Sequence, residues 1–511
     1  MFLKKISGIM LCAALCFHIS GTATLSAAPQ KPDEGKTKQI LAEFEDYARK
    51  TMRDWRIPGM AVAIIADDRV IFSKGFGVKE INGSDPVDAH TIFQIGSASK
   101  AFTAALAAMM VDEGKMAWKD NVIDHVPGFR MYDAWVTREF MIEDLLAQHS
   151  GMPAYAADFQ AIAGFDRDHI MNSIRYIKPV SSFRSEFAYV NNLFLVAARA
   201  IENKTGKTWE ADIRARIFEP LGMDESSTGR DSLVSSKNAA TGHNIQEGKV
   251  APVPKTLNWP YIYGPAGGIN SNVLDMAEWV RLQINDGIVD GKRLVGEENM
   301  NFIHTPKTIT PPRKGDRMYY CESWVYEEMR PYPLVWHNGG TTGFHAFVGF
   351  WTEPKIGIVI LTNEASNKLA EALPHYFNDL YFGNPARDWS AEKLGETKKR
   401  EGKMKAGAPK RPDPPSPPLA LEEYTGAYHN EVYLDAAVTK RDGSLAITIG
   451  PDRFEIIAAP WDRDTFYFNM MIFGDGNEGF VEFSRDPEGR IARMTIDALN
   501  EDGCGAFDRV D

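Results

Sequence analysis

One stretch of the sequence decides how the rest of the chain is interpreted: Phe93-Gln94-Ile95-Gly96-Ser97-Ala98-Ser99-Lys100. A strand-like segment leads into it, and an Ala-rich helical segment over 101–111 follows. If Ser97 begins that helix, Lys100 lies one turn further along the same face. A hydroxyl needs a nearby base to act as a nucleophile, and a buried lysine amine can lose its proton at neutral pH. The stretch therefore predicts a serine nucleophile with a lysine base.

The Ser-x-x-Lys pattern occurs twice in this chain, so the pattern alone decides little. A protein of this length and average composition should contain about two such matches by chance. The second match is Ser390-Ala391-Glu392-Lys393, which lies in a charged stretch that is typical of a linker. Only the first follows a strand-like segment and opens an apolar helix, so its context has to distinguish the two.

The first residues predict an export signal over 1–27. Lys4 and Lys5 precede an apolar run over 6–19, and small residues then lead to a cleavage point after Ala27. We therefore expect an exported protein, periplasmic or secreted; an uncleaved membrane anchor is the alternative. No later segment has the 18 or more apolar residues of a membrane-spanning helix.

Charge and cysteine content exclude several classes of partner and site. The formal net charge is −12, and removal of the two lysines in the signal takes it to −14, which argues against nucleic acid and anionic membranes as partners. Two of the four cysteines lie in the signal, which leaves Cys321 and Cys504. A single bridge between these two stays open. No Cys/His spacing indicates a zinc site.

Apolar runs at both ends of the region 35–385 predict one antiparallel sheet. Runs over 60–66 and 70–76 form one predicted hairpin, and runs over 344–351 and 356–362 form another. The sequence between them is mostly helical in spacing, with predicted helices over 141–147, 191–203 and 273–285. The predicted fold class is therefore α/β (α+β): an antiparallel sheet flanked by helices, with an inserted helical subdomain.

The composition changes after residue 385. Residues 386–418 predict a charged helix followed by a semi-rigid spacer, because 408–418 contains six prolines. Residues 419–511 contain short strand-like runs separated by turn signals such as Asp442-Gly443. This pattern predicts a small β-barrel or meander as a C-terminal domain.

Several flanked motifs, in order, resemble the serine β-lactamase and penicillin-binding-protein superfamily, in particular its class C branch with D-alanyl-D-alanine carboxypeptidases, D-aminopeptidases and esterases. The motifs are 93–100, Leu145-Leu146-Ala147-Gln148-His149-Ser150-Gly151-Met152-Pro153, Phe187-Ala188-Tyr189-Val190-Asn191, Pro220-Leu221-Gly222-Met223, Ala266-Gly267-Gly268 and His337-Asn338-Gly339-Gly340. The resemblance covers about residues 40–385 and implies a β-lactamase/DD-peptidase-like fold. Residues 419–511 resemble, more faintly, the lipocalin-like domain that often follows such hydrolases.

The resemblance implies a role for each motif residue. Ser97 matches the acylated nucleophile, and Lys100 and Tyr189 match the pair that takes its proton and later protonates the leaving group. Asn191 matches the amide that binds the acyl-amide group of the substrate. The backbone N–H groups of Ser97 and Gly340 match the oxyanion hole, where fixed donors stabilise charge in the transition state.

His337-Asn338-Gly339 is a departure from the β-lactamases of class C, which have Lys-Thr-Gly at this place. Lysine there is a permanent cation suited to a substrate carboxylate, whereas a histidine near its usual pKa of about 6.5 is only partly charged. His-x-Gly is frequent among the peptidases and esterases of the family. The substitution therefore makes β-lactamase less favoured as the physiological role.

We thus expect a serine hydrolase that cleaves amide or ester bonds through an acyl-enzyme on Ser97. The expected substrate is a D-amino-acid or cell-wall peptide, as for a carboxypeptidase. A β-lactamase or a small-ester esterase is the alternative enzyme, and a non-catalytic penicillin- or peptide-binding sensor is the alternative of another class. The resemblance implies no metal or organic cofactor and leaves the oligomeric state open.

Overall fold

The structure is a computed structural model that describes residues 31–246, 248–311, 317–471, 476–500 and 502–510. The predicted export signal over 1–27 lies outside these residues. In chain order, the strands before the C-terminal domain are β1 Gly59–Ala66, β2 Arg69–Gly77, β3 Phe93–Gln94, β4 His243–Gln246, β5 Lys249–Pro252, β6 Asn270–Ser271, β7 Ile288–Val289, β8 Lys292–Arg293, β9 Thr308–Ile309, β10 Met318–Tyr320, β11 Val325–Glu327, β12 Leu334–Thr341, β13 Phe344–Trp351 and β14 Ile356–Thr362.

The helices surround this set of strands and form most of the inserted region. They are α1 Glu34–Asp54, α2 Ser99–Asp112, α3 Val122–His125, α4 Ala134–Glu139, α5 Phe159–Ile162, α6 Arg167–Ser173, α7 Asn192–Thr205, α8 Trp209–Ile213, α9 Glu219–Leu221, α10 Arg230–Ser235, α11 Trp259–Ile262, α12 Gly264–Gly267, α13 Val273–Ile284, α14 Glu297–His304, α15 Leu369–Phe382 and α16 Trp389–Gly407.

Eight of the strands form one antiparallel sheet in the order β2-β1-β14-β13-β12-β11-β10-β9. Every residue of β1 is buried, and alternate side chains belong to two different apolar clusters. Ala61 and Ile65 pack in the cluster that contains α2 and α13, whereas Val62 and Ile64 pack in the cluster that contains α1 and α15. Because successive strand residues point to opposite faces, the sheet lies between two helical layers.

Both predicted hairpins are present in this sheet. β1 and β2 are joined at Asp67 and Asp68, which have φ values of 51° and 60°. The turn type that best fits the twist of a two-residue hairpin requires positive φ at both central residues. Aspartate tolerates this conformation. β13 and β14 pair over residues 345–351 and 356–362. The predicted mixed fold with an antiparallel sheet is confirmed.

The helix predicted over 141–147 is wrong, because only Glu143–Leu145 forms a short 3₁₀ turn. The Asp144 carboxylate is buried there and accepts hydrogen bonds from Met141 N, His149 and Arg184. Side chains of this kind offer the backbone an alternative to the helical pattern. The bond from His149 gives this residue a contact that helps hold the local backbone.

The C-terminal domain is a closed barrel of eight antiparallel strands, as predicted. Its strands are β15 Gly426–Asn430, β16 Leu434–Arg441, β17 Ser444–Ile449, β18 Phe454–Asp462, β19 Thr465–Met471, β20 Gly476–Arg485, β21 Ile491–Ile496 and β22 Ala506–Arg509. Each strand pairs with the next, and β15 pairs with β22, so the sheet has no free edge.

The barrel packs directly against the inserted helical region. The ring of Phe159 contacts the rings of Tyr433 and Phe454, and Gln160 Nε2 donates to the Val432 carbonyl at 2.7 Å. Buried apolar residues of both domains belong to one continuous cluster. The barrel is therefore a part of the same packed body, although a Pro-rich linker joins it to the rest.

Cys321 and Cys504 are both free and buried, and they lie in the hydrolase-like region and the barrel, respectively. The disulfide bridge between these two cysteines, which the sequence analysis left open, does not form. Within the residues that the structure describes, no helix combines the length and the hydropathy that a bilayer crossing requires.

Candidate active site

Ser97 lies in a 3₁₀ turn, Gly96–Ala98, and α2 begins two residues later at Ser99. The sequence placed Ser97 at the start of the helix itself, so the prediction is off by one short turn. Lys100 is in the first turn of α2, and its Nζ is 3.2 Å from Ser97 Oγ. α2 is apolar around most of its circumference and is buried accordingly, which leaves the Lys100 side chain with no exposed surface.

The Lys100 amine is held by neutral oxygen atoms. It donates to Asn191 Oδ1 at 2.7 Å and to the Ala266 carbonyl at 2.9 Å, and it lies 4.7 Å from the centre of the Tyr189 ring. Burial lowers the pKa of Lys100 to about 7, although the negative charge of Asp158 acts in the opposite direction. A large fraction of the amine is therefore neutral at neutral pH and able to accept a proton.

Tyr189 is the second member of the predicted base pair. Burial raises the pKa of its phenol well above the ordinary value of 10, and the neighbouring Tyr320 adds to this effect, whereas a hydrogen bond with Ser97 opposes it. The phenol therefore keeps its proton at neutral pH. The structure brings Ser97, Lys100 and Tyr189 together, with unequal protonation between the two candidate bases.

Two glycines allow β12 to approach the Ser97 turn. A Cβ atom on Gly339 would lie 1.8 Å from the Ile95 carbonyl oxygen, and a Cβ atom on Gly96 would lie 2.7 Å from Gly340 N. Gly96 also has a φ of +51°, a conformation that side chains disfavour. This contact places the backbone of Gly340 beside that of Ser97, and both residues line the same cavity. The arrangement fits the predicted pair of oxyanion donors.

His337 is buried and engaged by its neighbours. Its Nδ1 is 2.5 Å from the Asn338 carbonyl and its Nε2 is 3.1 Å from the Tyr320 hydroxyl. A proton on Nδ1 satisfies both contacts, with Nε2 accepting from Tyr320. Burial, with a smaller effect of Lys100, lowers the pKa of His337 to about 3. The imidazole is thus neutral, where the sequence suggested partial charge. The Asn338 amide bonds Glu371 instead, at 2.9 Å.

Asn191 connects Lys100 to a residue that the sequence analysis missed. While Oδ1 accepts from Lys100, Nδ2 donates to Asp158 Oδ2 at 2.6 Å. Only the second lone pair of Oδ1 and the second hydrogen of Nδ2 are therefore left for the predicted contact of Asn191 with the substrate. Burial raises the pKa of Asp158 to about 7, against the effects of Asn191 and Lys100. Asp158 belongs to no recognisable motif, so no local pattern could have pointed to it.

A cavity of about 1800 Å³ is lined by Ser97, Asp158, Tyr189, Asn191 and His337. Part of its wall belongs to the barrel, which the sequence could not place. The barrel residues that line it are Tyr433, Glu478, Asp497, Ala498, Asn500 and Asp502. The second Ser-x-x-Lys match does not share this site through its serine, because Ser390 is buried and its Oγ accepts from Trp55 Nε1 at 2.9 Å.

Comparison with known proteins adds to this geometry. The family model described as Beta-lactamase matches residues 44–379, and a model for a domain of unknown function (DUF3471) matches residues 410–504. The chain is similar to Unguisins hydrolase ungD' of Aspergillus campestris, with 29% identity over 89% of each protein. It is also similar to Protein flp of Staphylococcus aureus, with 26% identity over 66% of each.

Two solved structures share the fold. The octameric penicillin-binding protein homologue from Pyrococcus abyssi aligns with a TM-score of 0.61 and 21% identity, over 89% of this chain and 98% of that one. The crystal structure of SurE with D-Leu aligns with a TM-score of 0.55 and 18% identity, over 93% of this chain and 100% of that one. At these identities the likeness concerns the fold alone.

Proposed function

The chain belongs to the beta-lactamase family, whose members are usually serine hydrolases, and we propose that it is an exported hydrolase of amide or ester bonds in D-amino-acid-containing or cell-wall peptides. One observation carries the catalytic part of this proposal. Ser97 Oγ lies 3.2 Å from an amine that burial prepares to accept a proton. A serine in this position becomes a nucleophile once its proton can leave.

In the proposed reaction, neutral Lys100 accepts the proton of Ser97 as Oγ bonds to the substrate carbonyl carbon. The carbonyl oxygen becomes an oxyanion and accepts hydrogen bonds from the backbone N–H groups of Ser97 and Gly340. When the intermediate collapses, the bond to the leaving amine or alcohol breaks, and protonated Tyr189 supplies its proton. Lys100 then returns a proton to Tyr189. Water then attacks the carbonyl carbon of the acyl-enzyme and gives up a proton to the same pair of bases. The bond to Ser97 Oγ breaks, and Oγ regains its proton.

Three observations support the choice of substrate class. The relative with 29% identity is named a hydrolase of unguisins, and a structural neighbour is a SurE crystal structure with the D-amino acid D-Leu. His337 is neutral and bonded on both nitrogens, so this position offers no fixed cation to a carboxylate. That last point favours a peptide or ester over a β-lactam as the natural substrate. Small-ester hydrolysis and β-lactam hydrolysis are the alternatives.

Export rests on the leader-like residues 1–27. Mass spectrometry of the protein recovered from outside the cytoplasm should find an N-terminus at Ala28. An intact N-terminus on protein from the cytoplasmic fraction would contradict export without affecting the proposed chemistry.

A fluorophosphonate probe tests the nucleophile. The wild-type protein should be labelled covalently, and Ser97→Ala should not, because the probe reacts only with an activated serine. Ser390→Ala is a matched control: it alters the second Ser-x-x-Lys match and should be labelled like wild type. Folded wild-type protein that no acylating probe labels would favour a non-catalytic binding protein.

Substrate class is tested by a hydrolysis panel with Ser97→Ala as the blank. The panel contains D-amino acid amides, D-Ala-D-Ala peptides, nitrocefin and short p-nitrophenyl esters. Turnover of the first two groups supports the proposal. Turnover confined to nitrocefin or to the esters would establish one of the alternatives.

A further inference from the structure

Gln148 belongs to a motif to which the proposed reaction gives no role. It lies in the stretch over 145–153, is only 1% exposed and has a φ of 59°, in the left-handed region. Non-glycine residues keep this conformation where their surroundings enforce it, often at functional sites. A buried amide in such a conformation is costly, so its contacts have to offset the cost.

The contacts of Gln148 lie on both sides of Tyr189. Its backbone carbonyl accepts from Ala188 N at 2.9 Å. Its side-chain Oε1 accepts from Val190 N at 2.6 Å, and its Nε2 donates to the Val190 carbonyl at 3.2 Å. Between them, the Tyr189 carbonyl accepts from Tyr155 N at 2.6 Å. One glutamine thus holds the residue before Tyr189 and the residue after it.

The segment that carries Tyr189 has no regular secondary structure of its own. Residues 187–190 belong to no helix or strand, and α7 begins only at Asn192. Ala188 and Val190 are buried, so their backbone groups need partners inside the protein. A side-chain amide offers both an acceptor and donors. Gln148 therefore pairs with Val190 much as a residue of a neighbouring strand would.

Gln148 also contacts the residue that packs on the ring of Tyr189. Burial raises the pKa of the Tyr320 phenol, and a hydrogen bond from the Gln148 side chain opposes this effect. The Tyr320 ring lies edge-on to the Tyr189 ring, with the ring centres 6.3 Å apart and an angle of 87° between the planes. Both the backbone and the ring of Tyr189 are thus supported by contacts that lead to Gln148.

The residues next to Gln148 anchor it to the rest of the domain. Thr308 Oγ1, in β9, donates to the Ala147 carbonyl at 2.8 Å, and Arg184 N donates to the His149 carbonyl at 2.8 Å. β9 is a strand of the eight-stranded sheet. Gln148 is therefore fixed to the sheet and can hold the Tyr189 segment in a constant position relative to it.

We propose that Gln148 is a positioning residue for Tyr189, which it holds where the phenol can give its proton to the leaving group. Gln148 is not among the described residues that line the cavity, so it acts through Tyr189 and not on the substrate. This rests on the proposed function, because it concerns the same transfer of an acyl group to Ser97. A small displacement of a proton donor is enough to lose most of its effect.

The test uses two substrates with one acyl group and different needs for a proton. The amine of D-alanine p-nitroanilide has to be protonated as it leaves, whereas D-alanine p-nitrophenyl ester releases a stable anion. Gln148→Met keeps the length of the side chain but removes its bonds to Val190. It should lower kcat/KM for the p-nitroanilide about 10- to 100-fold and kcat/KM for the ester less than about 3-fold. Ser97→Ala is the blank for both.

Tyr189→Phe shows whether Gln148 acts through the phenol. It should produce the same selective loss on the p-nitroanilide, and Gln148→Met added to it should cause less than about a 2-fold further loss, because both changes affect one proton transfer. Gln283→Met is the matched control. Gln283 is another fully buried glutamine, on α13, with its Oε1 3.0 Å from His304 Nε2. This variant should leave the ratio of the two rates unchanged.

Fluorophosphonate labelling separates this proposal from the proposed function. If wild type is not labelled, the proposed function fails and the role of Gln148 fails with it. Labelling of Gln148→Met at about the wild-type rate shows that it folds, since fluoride leaves without a proton. Equal losses on both substrates, or no loss on the p-nitroanilide, would then overturn only the role of Gln148.

Two further outcomes would also overturn it. Wild type that is labelled but cleaves the ester alone, or neither substrate, has no leaving group that depends on Tyr189. If Gln148→Met is not labelled, Gln148→Asn replaces it in the test, because its amide is retained but is one methylene too short to reach Val190. Loss of labelling in both variants would make Gln148 a residue required for folding and not for positioning.

Discussion

At the scale of single residues, the protonation of Lys100 determines when Ser97 can react in the proposed mechanism. Its amine contacts an amide oxygen, a backbone carbonyl and two aromatic rings. These partners hold the amine in place. Because they are uncharged, they do not fully offset the free-energy cost of keeping the buried amine charged. The Asp158 carboxylate is connected to it by hydrogen bonds through Asn191. The pKa of Lys100 is therefore a balance of two effects: burial lowers it, and the charge of Asp158 raises it.

This balance predicts the pH dependence of hydrolysis. Since the neutral amine is the form that accepts the serine proton in the proposed reaction, kcat/KM for a substrate that the hydrolysis panel identifies should rise with pH and level off above an apparent pKa near 7. Asp158→Asn removes a charge that raises the Lys100 pKa, so it should move this limb to lower pH. A flat profile between pH 5 and 9, or a limb that moves to higher pH in Asp158→Asn, would contradict this assignment.

His337→Gln provides the control for that profile. The His337 imidazole has its pKa lowered to about 3, so it does not titrate in the range where the limb lies. The midpoint of the limb should therefore stay where it is in wild type, whatever happens to the absolute rate. Loss of the limb in His337→Gln would identify the histidine as the titrating group.

The residues of the site differ in how far the sequence could reveal them. Ser97, Lys100 and Tyr189 lie in local motifs, so their residue types and order are sufficient to predict them. Asp158 and Asp502 approach each other only through a contact between domains, and neither is visible in local sequence. The charge of His337 depends on its burial, which cannot be predicted from the residue type alone.

At the scale of elements, the contact between β12 and the turn before α2 brings together the two backbone segments that carry the predicted oxyanion donors. The two segments approach so closely because glycine stands on each side. The hairpins could be predicted because alternating apolar residues and turn residues act locally. The 3₁₀ segment Glu143–Leu145 could not, because the bonds that replace helix there come from Arg184 and His149, which are outside it.

Gly339→Ala should disrupt this contact. Its Cβ would overlap the Ile95 carbonyl, so β12 has to shift, with a loss of about 1–3 kcal/mol of stability and of most of the fluorophosphonate labelling. Gly340→Ala is the matched control for stability, because no described residue other than Gly340 and its two chain neighbours has an atom within 4 Å of the position that its Cβ would take. Thermal unfolding and labelling rates measure both. Equal melting temperatures for the two variants would refute the close contact.

At the scale of the whole molecule, two domains share one core. Phe159 lies at their junction, where its ring contacts Tyr433 and Phe454 of the barrel. The sequence predicted a separate C-terminal domain after a Pro-rich linker, because linker composition is visible in one sequence and burial between domains is not. Cutting there would expose apolar surface that both domains now bury.

Calorimetry should therefore record one unfolding transition for the full chain. Phe159→Ala should lower its midpoint, since removing a buried phenylalanine costs about 3–5 kcal/mol. Because Phe159 also lines the cavity, the variant should change the substrate preference that the hydrolysis panel measures. Phe302→Ala, in a helix of the hydrolase-like domain, should lower the midpoint without that change. Two separate transitions in wild type would show that the domains are independent.

The order of residues along the chain has a consequence for synthesis. Asp502 follows every other residue that lines the cavity, whereas Ser97 is the first of them to emerge from the ribosome. A nascent chain thus contains its proposed nucleophile long before the barrel part of the cavity wall can form. The last strands to be translated complete that wall, so a ribosome that stalls before the barrel releases a chain whose cavity is open on that side.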